Sequence, residues 1–251
     1  MSEKVVGIIQ ARMGSTRLPG KVLKKIKGKP MLQYTIESLR NCELLDQIIV
    51  ATSNLRKDDA IEEFSEEVGV DLFRGSEKNV LSRYYHAAKE NNADVVVRIT
   101  GDCPLIDYQI TDQVIQLYLD NKKEVDFASN NLERTFPRGV DVSVFSFFAL
   151  EMAYKNSTLK AEKEHVTPYI TETHIDEFKL INYEAQEEYR HPDIRITVDE
   201  KDDFKLVKKI VNKIENEPIT LDDVIELLTQ NQELLKINSH VKQKKVNFKE
   251  G

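Results

Sequence analysis

Residues 8–21, IIQARMGSTRLPGK, gather Arg12, Arg17 and Lys21 with the hydroxyls of Ser15 and Thr16, and Gly14 and Gly20 punctuate the stretch. Glycines let a backbone come close to a ligand and turn its N–H groups outward, and the cations supply charge, so this set can cradle a polyphosphate. It follows neither the GxxxxGK[ST] nor the GxGxxG order. A solvated basic surface loop is the plain alternative. The apolar run VVGIIQ (5–10) just before it argues against that reading, because ligands of parallel sheets sit beyond the carboxyl ends of the strands.

Four further stretches carry groups of complementary chemistry. ITGDCPLID (99–107) places Asp102 after a second apolar run, and Mg²⁺ favours one or two carboxylates together with phosphate oxygens and waters. Asp102 is equally readable as a turn aspartate bonding its own backbone. Asp107 reads as the N-cap of the next helix, and Cys103 as buried filler rather than nucleophile. DIRITVDEKDDF (193–204) offers Asp199 as a second carboxylate on the same metal. Period-two alternation puts Arg195, Thr197 and Asp199 on one face, and Asp202 and Asp203 suit the first turn of a following helix. FPRGVDV (136–142) and EHVTPY (164–169) contribute Arg138, Asp141, Glu164 and His165, which could line an acceptor pocket, although a histidine beside apolar residues also serves as a structural group.

The elements that must position these groups alternate. Strand-length apolar runs at 5–10, 47–52, 70–75 and 94–102 are interleaved with helix-period stretches at 31–43, 58–69, 79–93 and 110–121. That rhythm predicts an α/β fold, a mostly parallel sheet sandwiched by helices. Beyond residue 123 the rhythm loosens. Strands are expected at 126–130, 140–146, 178–185 and 193–199, and helices at 147–156, 159–174 (interrupted by Pro168), 201–215 and 220–237. A single domain over 1–240, with 124–190 as an acceptor-side and dimerisation subregion and 241–251 as a loose polar tail, is the economical division.

Bulk properties narrow the function classes. The net charge of −7 opposes nucleic-acid binding through a broad basic face, so any bound anion needs a local cationic site. No apolar run approaches the ~20 residues of a membrane helix. The first residues lack a signal-peptide pattern, and two cysteines in unlike contexts suit a reduced, cytoplasmic protein.

Taken in order, ARMGSTRLPGK, VRITGDCPLID, FPRGVDVSVFS, EHVTPYI and RITVD resemble the cytidylyltransferases of the CMP-sugar synthetase group, and most closely their SpsF-like branch. The resemblance spans roughly residues 4–210. It implies a Rossmann-like nucleotidyltransferase fold of the glycosyltransferase-A type, in an enzyme that uses CTP and Mg²⁺ to charge a sugar acid, a nonulosonate or 3-deoxy-manno-octulosonate, with release of pyrophosphate. It implies a nucleotide-binding set of Ala11, Arg12, Gly14, Ser15, Arg17, Lys21, Ser76 and Arg83, of which Arg12, Ser15 and Lys21 hold the triphosphate. Asp102 and Asp199 become the metal ligands and, with Arg12 and Lys21, the catalytic group. Arg138, Asp141, Glu164 and His165 become the acceptor side, and a homodimer is implied by analogy. Asn79 and Ser82 stand where branch members often carry an acidic residue, which leaves base or acceptor selectivity open. Three other readings stay open: transfer to a sugar 1-phosphate, with Arg138 and Arg195 as the cations for its phosphate; a glycosyltransferase consuming a nucleotide-sugar, although no DxD pair ends a strand in the first half; and a degenerate nucleotide-binding module.

Overall fold

A computed structural model describes residues 3–244 and 248 of the chain. β1 (Val5–Gln10) runs into the basic loop, a 3₁₀ turn at Lys21–Leu23, the small hairpin of β2 (Lys25–Ile26) and β3 (Lys29–Pro30), and then α1 (Met31–Leu39). β4 (Gln47–Ser53), a turn at Arg56–Asp58, α2 (Asp59–Val68), β5 (Asp71–Gly75), α3 (Val80–Glu90), β6 (Val95–Thr100) and α4 (Tyr108–Asn121) complete the regular alternation. The second half comprises β7 (Phe127–Ser129), β8 (Ser143–Ser146), α5 (Phe147–Asn156), α6 (Lys160–His165), a π-helical turn at Tyr169–Thr173, β9 (Leu180–Asn182), α7 (Lys201–Lys213) and α8 (Leu221–Gln230).

The seven-stranded sheet has the order β5-β4-β1-β6-β8-β7-β9. Its first four strands are parallel; β8 runs antiparallel to β6 and β7, and β9 lies parallel to β7. The sheet is therefore mostly parallel and covered on both faces, as the alternation predicts. Period two separates its two faces. Ile9, Val50, Val97 and Ile99 pack under α1, α2, α4, α7 and α8. Val6, Ile8, Ala51, Val96, Phe127 and Phe145 pack under α3, α5 and the segment 166–170. No helix among the described residues is long and apolar enough to cross a membrane.

Several boundaries differ from expectation, each for a local reason. Residues 193–199 form no strand; they make one isolated bridge, Arg138 to Arg195. Their backbone bonds to residues beside the sheet: Arg138 N–H donates to Ile194 O (2.8 Å) and Ile196 N–H to Arg138 O (2.8 Å). The helix expected over 159–174 breaks at Val166, two residues before Pro168. Val166 has φ +73°, and Thr167 N–H reaches back to His165 O at 2.9 Å, a γ-turn. The helix expected over 220–237 ends at Gln230, and a 3₁₀ turn covers Gln232–Ile237. Of the tail expected to be loose, Gln243 accepts a hydrogen bond from Arg195 Nη1; residues 245–247 and 249–251 lie outside the described residues.

Candidate active site

The carboxyl ends of β1 and β6 open into a cavity of about 1030 Å³. Gln10 and Thr100, paired in register as the last residues of their strands, are on its wall, and the two chain segments that follow them supply most of the charge. The loop after β1 is held in shape from a distance. Asp58, fully buried in the turn before α2, accepts the Met13 N–H at 2.6 Å and the Ser53 hydroxyl. Met13 O in turn accepts from Ser15 N–H (2.9 Å) and Gly20 N–H (3.1 Å), which folds the loop back on itself. Ala11, Arg12, Gly14, Ser15, Arg17 and Lys21 all line the cavity.

Lys21 is the centre of the charged group. Its ammonium donates to Asp102 Oδ2 at 2.7 Å, to Asp199 Oδ1 at 3.0 Å and to Val198 O at 2.8 Å. Burial works against this cation, but the two carboxylates outweigh it and raise its pKa. Asp199 shows the mirror image. Burial alone would push its carboxyl up, yet Lys21, Arg17 and Arg195 hold it below the usual carboxylate range. The two aspartates, nearly a hundred residues apart, are fastened through backbone: the Asp102 carbonyl accepts both Val198 N–H (2.8 Å) and the Thr197 hydroxyl (3.2 Å). Gly139, at φ +122°, lets residues 136–139 lie against this segment; a Cβ there would meet Thr197 N at 2.6 Å.

Among the described residues no group of three or more His, Cys, Asp or Glu side chains gathers to hold a metal. A pair of carboxylates closed by an ammonium at the edge of a phosphate-sized basic loop nevertheless has the donor set for Mg²⁺, whose remaining ligands are phosphate oxygens and waters.

The residues expected on an acceptor side also reach the cavity. Arg138, Asp141, Glu164 and His165 line it. Asp141 is paired with Arg134 at 2.7 Å, whereas Arg138 makes no ion pair among the described residues. Arg12 and Glu164 approach only to 4.0 Å with both side chains 40% exposed, a weak pair. Burial pushes the His165 pKa down, so the ring is neutral at physiological pH, and Glu164 opposes this only in part.

Two expected residues sit elsewhere. Ser76 is not on the cavity wall; its hydroxyl accepts from Asn79 N–H (3.1 Å) and its carbonyl from Arg83 Nη1 (3.1 Å), so it braces Arg83, which is on the wall. Arg195, a candidate for binding an acceptor phosphate, is consumed by Asp199 (2.9 Å) and the fully buried Asp203 (2.9 Å) and does not reach the cavity.

The family model of cytidylyltransferases matches residues 6–246. The chain belongs to the cytidylyltransferase family. Two relatives are similar over most of their length and a third over about half. The uncharacterized protein MJ1063 of Methanocaldococcus jannaschii is 41% identical over 96% of this chain and 97% of its own. The spore coat polysaccharide biosynthesis protein SpsF of Bacillus subtilis is 32% identical over 90% and 95%. The 3-deoxy-manno-octulosonate cytidylyltransferase of Bdellovibrio bacteriovorus is 40% identical over 48% of each chain. Among solved structures, a cytidylyltransferase from Leptospira borgpetersenii superposes with a TM-score of 0.89 at 34% identity, covering 97% of this chain and all of that one. The resemblance read from the ordered motifs and the Rossmann-like nucleotidyltransferase fold both agree with these matches.

Sequence reasoning did not find Asp58 or Arg98. Asp58 acts on a backbone 45 residues away, and nothing local marks it. Arg98 carries a signal: it is the one charged residue in the apolar strand VVVRIT.

Proposed function

We propose that this protein transfers CMP from CTP to a sugar acid of the nonulosonate or 3-deoxy-manno-octulosonate class, releasing pyrophosphate, as a cytoplasmic step toward a surface polysaccharide. The observation that carries this reading is Lys21 held between Asp102 and Asp199 at the end of the basic Gly-rich loop. Cytidylyl transfer asks a protein mainly to position two anions and neutralise charge. Arg12, Arg17 and Lys21 face the place of the leaving pyrophosphate, and Arg83 flanks it from α3. Asp102 and Asp199 would hold Mg²⁺, which when bound supplies charge neutralisation at the α-phosphate and a lowered pKa at the attacking hydroxyl. No covalent nucleophile is needed: Cys103 is buried, and its burial pushes the thiol pKa up, away from a reactive thiolate. The free cysteines accord with a reducing compartment. A homodimer through residues 124–190 belongs to the same reading.

The test is pyrophosphate release from CTP with Mg²⁺ and 3-deoxy-manno-octulosonate or N-acetylneuraminate. Release with CTP and not with ATP, GTP or UTP is expected. Asp102→Asn is expected to lower turnover by about 100-fold or more while CTP binding survives, the scale of losing an electrostatic group at the reacting centre. Full activity in that variant would refute the metal assignment.

A further inference from the structure

We infer that Arg98 anchors the acceptor by binding an oxyanion it carries, an inference that rests on the cytidylyl-transfer reading above. Arg98 is set in β6, with Ile8 of β1 on one side and Ser143 of β8 on the other. It shares its sheet face with Val96, whose neighbours are apolar and sealed, yet among the described residues its guanidinium makes no ion pair, and its Nε is buried with no hydrogen-bond partner. An arginine kept in a sheet face without a counter-ion has lost part of its hydration and is repaid only when an anion arrives. The Oε1 of Gln10, at the wall of the same cavity, is buried and unpartnered as well.

Position separates Arg98 from the nucleotide's cations. The phosphate loop follows β1 and is braced from the β4 side by Asp58. Arg98 lies one strand further, and the register from it leads the other way, to Ser143 and then Ser129. There the cavity wall turns apolar, with Phe127, Leu132 and Leu180. A cation beside an apolar floor suits a molecule with a carbon skeleton and one anionic group rather than a triphosphate. Arg98 stands two residues before the end of β6 at Thr100, and Asp102 lies in the turn that follows, closed by Cys103 N–H donating to Thr100 O (3.1 Å). Both line the one cavity, so a molecule whose reacting hydroxyl lies near Asp102 can present another substituent to Arg98. Two sources share this chemistry, the carboxylate of a sugar acid and the phosphate of a sugar phosphate, and both take a bidentate guanidinium.

The experiment uses calorimetric titration of the full chain with Mg²⁺ and the α,β-methylene analogue of CTP, followed by 3-deoxy-manno-octulosonate, glucose 1-phosphate or neutral mannose. Arg98→Ala is expected to weaken the favoured oxyanion probe by about tenfold or more, as for loss of a charge-assisted hydrogen bond, with the nucleotide constant unchanged within about twofold. Arg98→Lys keeps the charge and the fold and should fall between. Whichever oxyanion probe binds the wild type better names the source. The inference is overturned if Arg98→Ala leaves the probes unaffected, if it weakens the nucleotide as much as the acceptor, or if neither oxyanion binds the wild type better than mannose. Absence of nucleotide binding by the wild type would count against cytidylyl transfer instead, and titrations of the acceptor probes without nucleotide still decide the role of Arg98.

Discussion

Lys21 has two roles at the residue scale: under the proposed function it binds phosphate, and it is the counter-ion of Asp102 and Asp199 at 2.7 and 3.0 Å. Its raised pKa contributes stability that is complete below the unfolded value of 10.5 and fades as pH climbs through the folded one. The lowered Asp199 pKa contributes stability that is present above the usual 3.8 and fades as pH falls through the folded value. Between those limits the group is pH-indifferent. Lys21→Met should therefore lower the melting temperature by an amount that is constant from about pH 5 to 9, of order 4–8 °C for the ~2 kcal/mol expected of a partly solvated pair left with one sign of charge. Added Mg²⁺ should restore part of that loss in the variant and shift the wild type little, because only the variant leaves Asp102 without its cation, while Asp199 keeps Arg17 and Arg195. Equal Mg²⁺ shifts in the two proteins would contradict this role. His165 supplies a second pH dependence of opposite kind. With its folded pKa lowered by burial, the unfolded chain takes the proton first, so stability declines as pH drops below about 6.5.

At the scale of elements, the segment 193–199 delivers Asp199 without being a strand, and Gly139 makes this possible. Gly139→Ala would force a Cβ to within 2.6 Å of Thr197 N while holding φ at +122°. A cost of about 3 kcal/mol, roughly 6–12 °C in melting temperature, is expected, together with lost activity, since Asp199 is displaced. Unchanged stability in that variant would show that 136–139 docks differently. The same segment marks where the sequence is legible and where it is not. β1, β4 and β6 are continuous β-branched runs because both faces are covered, and that pattern names them directly. Asp107 is legible as an N-cap, accepting from Ile110 N–H at 2.8 Å, but its second oxygen takes Leu221 N–H at 2.6 Å from α8, a contact no local pattern announces. Residues 193–199 alternate like a strand, but the alternation comes from packing a loop between the core and residues 136–139. The β2–β3 hairpin is too short to show a period; only Lys27 and Gly28, both at positive φ, betray it. Of the candidate site, the loop cations, Asp102 and Asp199 are legible by type, Arg98 is marked only by its charge within an apolar strand, and Asp58 and Asp203, which hold others in place, are not legible, because their partners are distant in sequence or read as helix caps.

The whole molecule carries a net charge of −7 yet opens a cavity whose nucleotide side is cationic. Attraction for CTP is therefore local, and salt should weaken it without touching the core. Raising NaCl from about 50 to about 500 mM, which shortens the screening length from well above 10 Å to a few ångströms, should raise the CTP dissociation constant several-fold and leave the melting temperature nearly unchanged. A salt-independent constant would mean that burial and hydrogen bonding, not net charge, govern nucleotide binding. The parallel and antiparallel parts of the sheet divide the cavity in the same sense. The parallel strands β1 and β6 bring Gln10, Arg98 and Thr100 to the wall, while β7 and β9 add Phe127 and Leu180. That seam has an evolutionary consequence. Under the proposed function, substitutions on the antiparallel side can accumulate without disturbing the grip on the nucleotide, so descendants of one ancestral chain can diverge in the molecule they activate while keeping the donor. The join at β6, where the parallel order ends, is the natural crossover point for chimeras of such descendants.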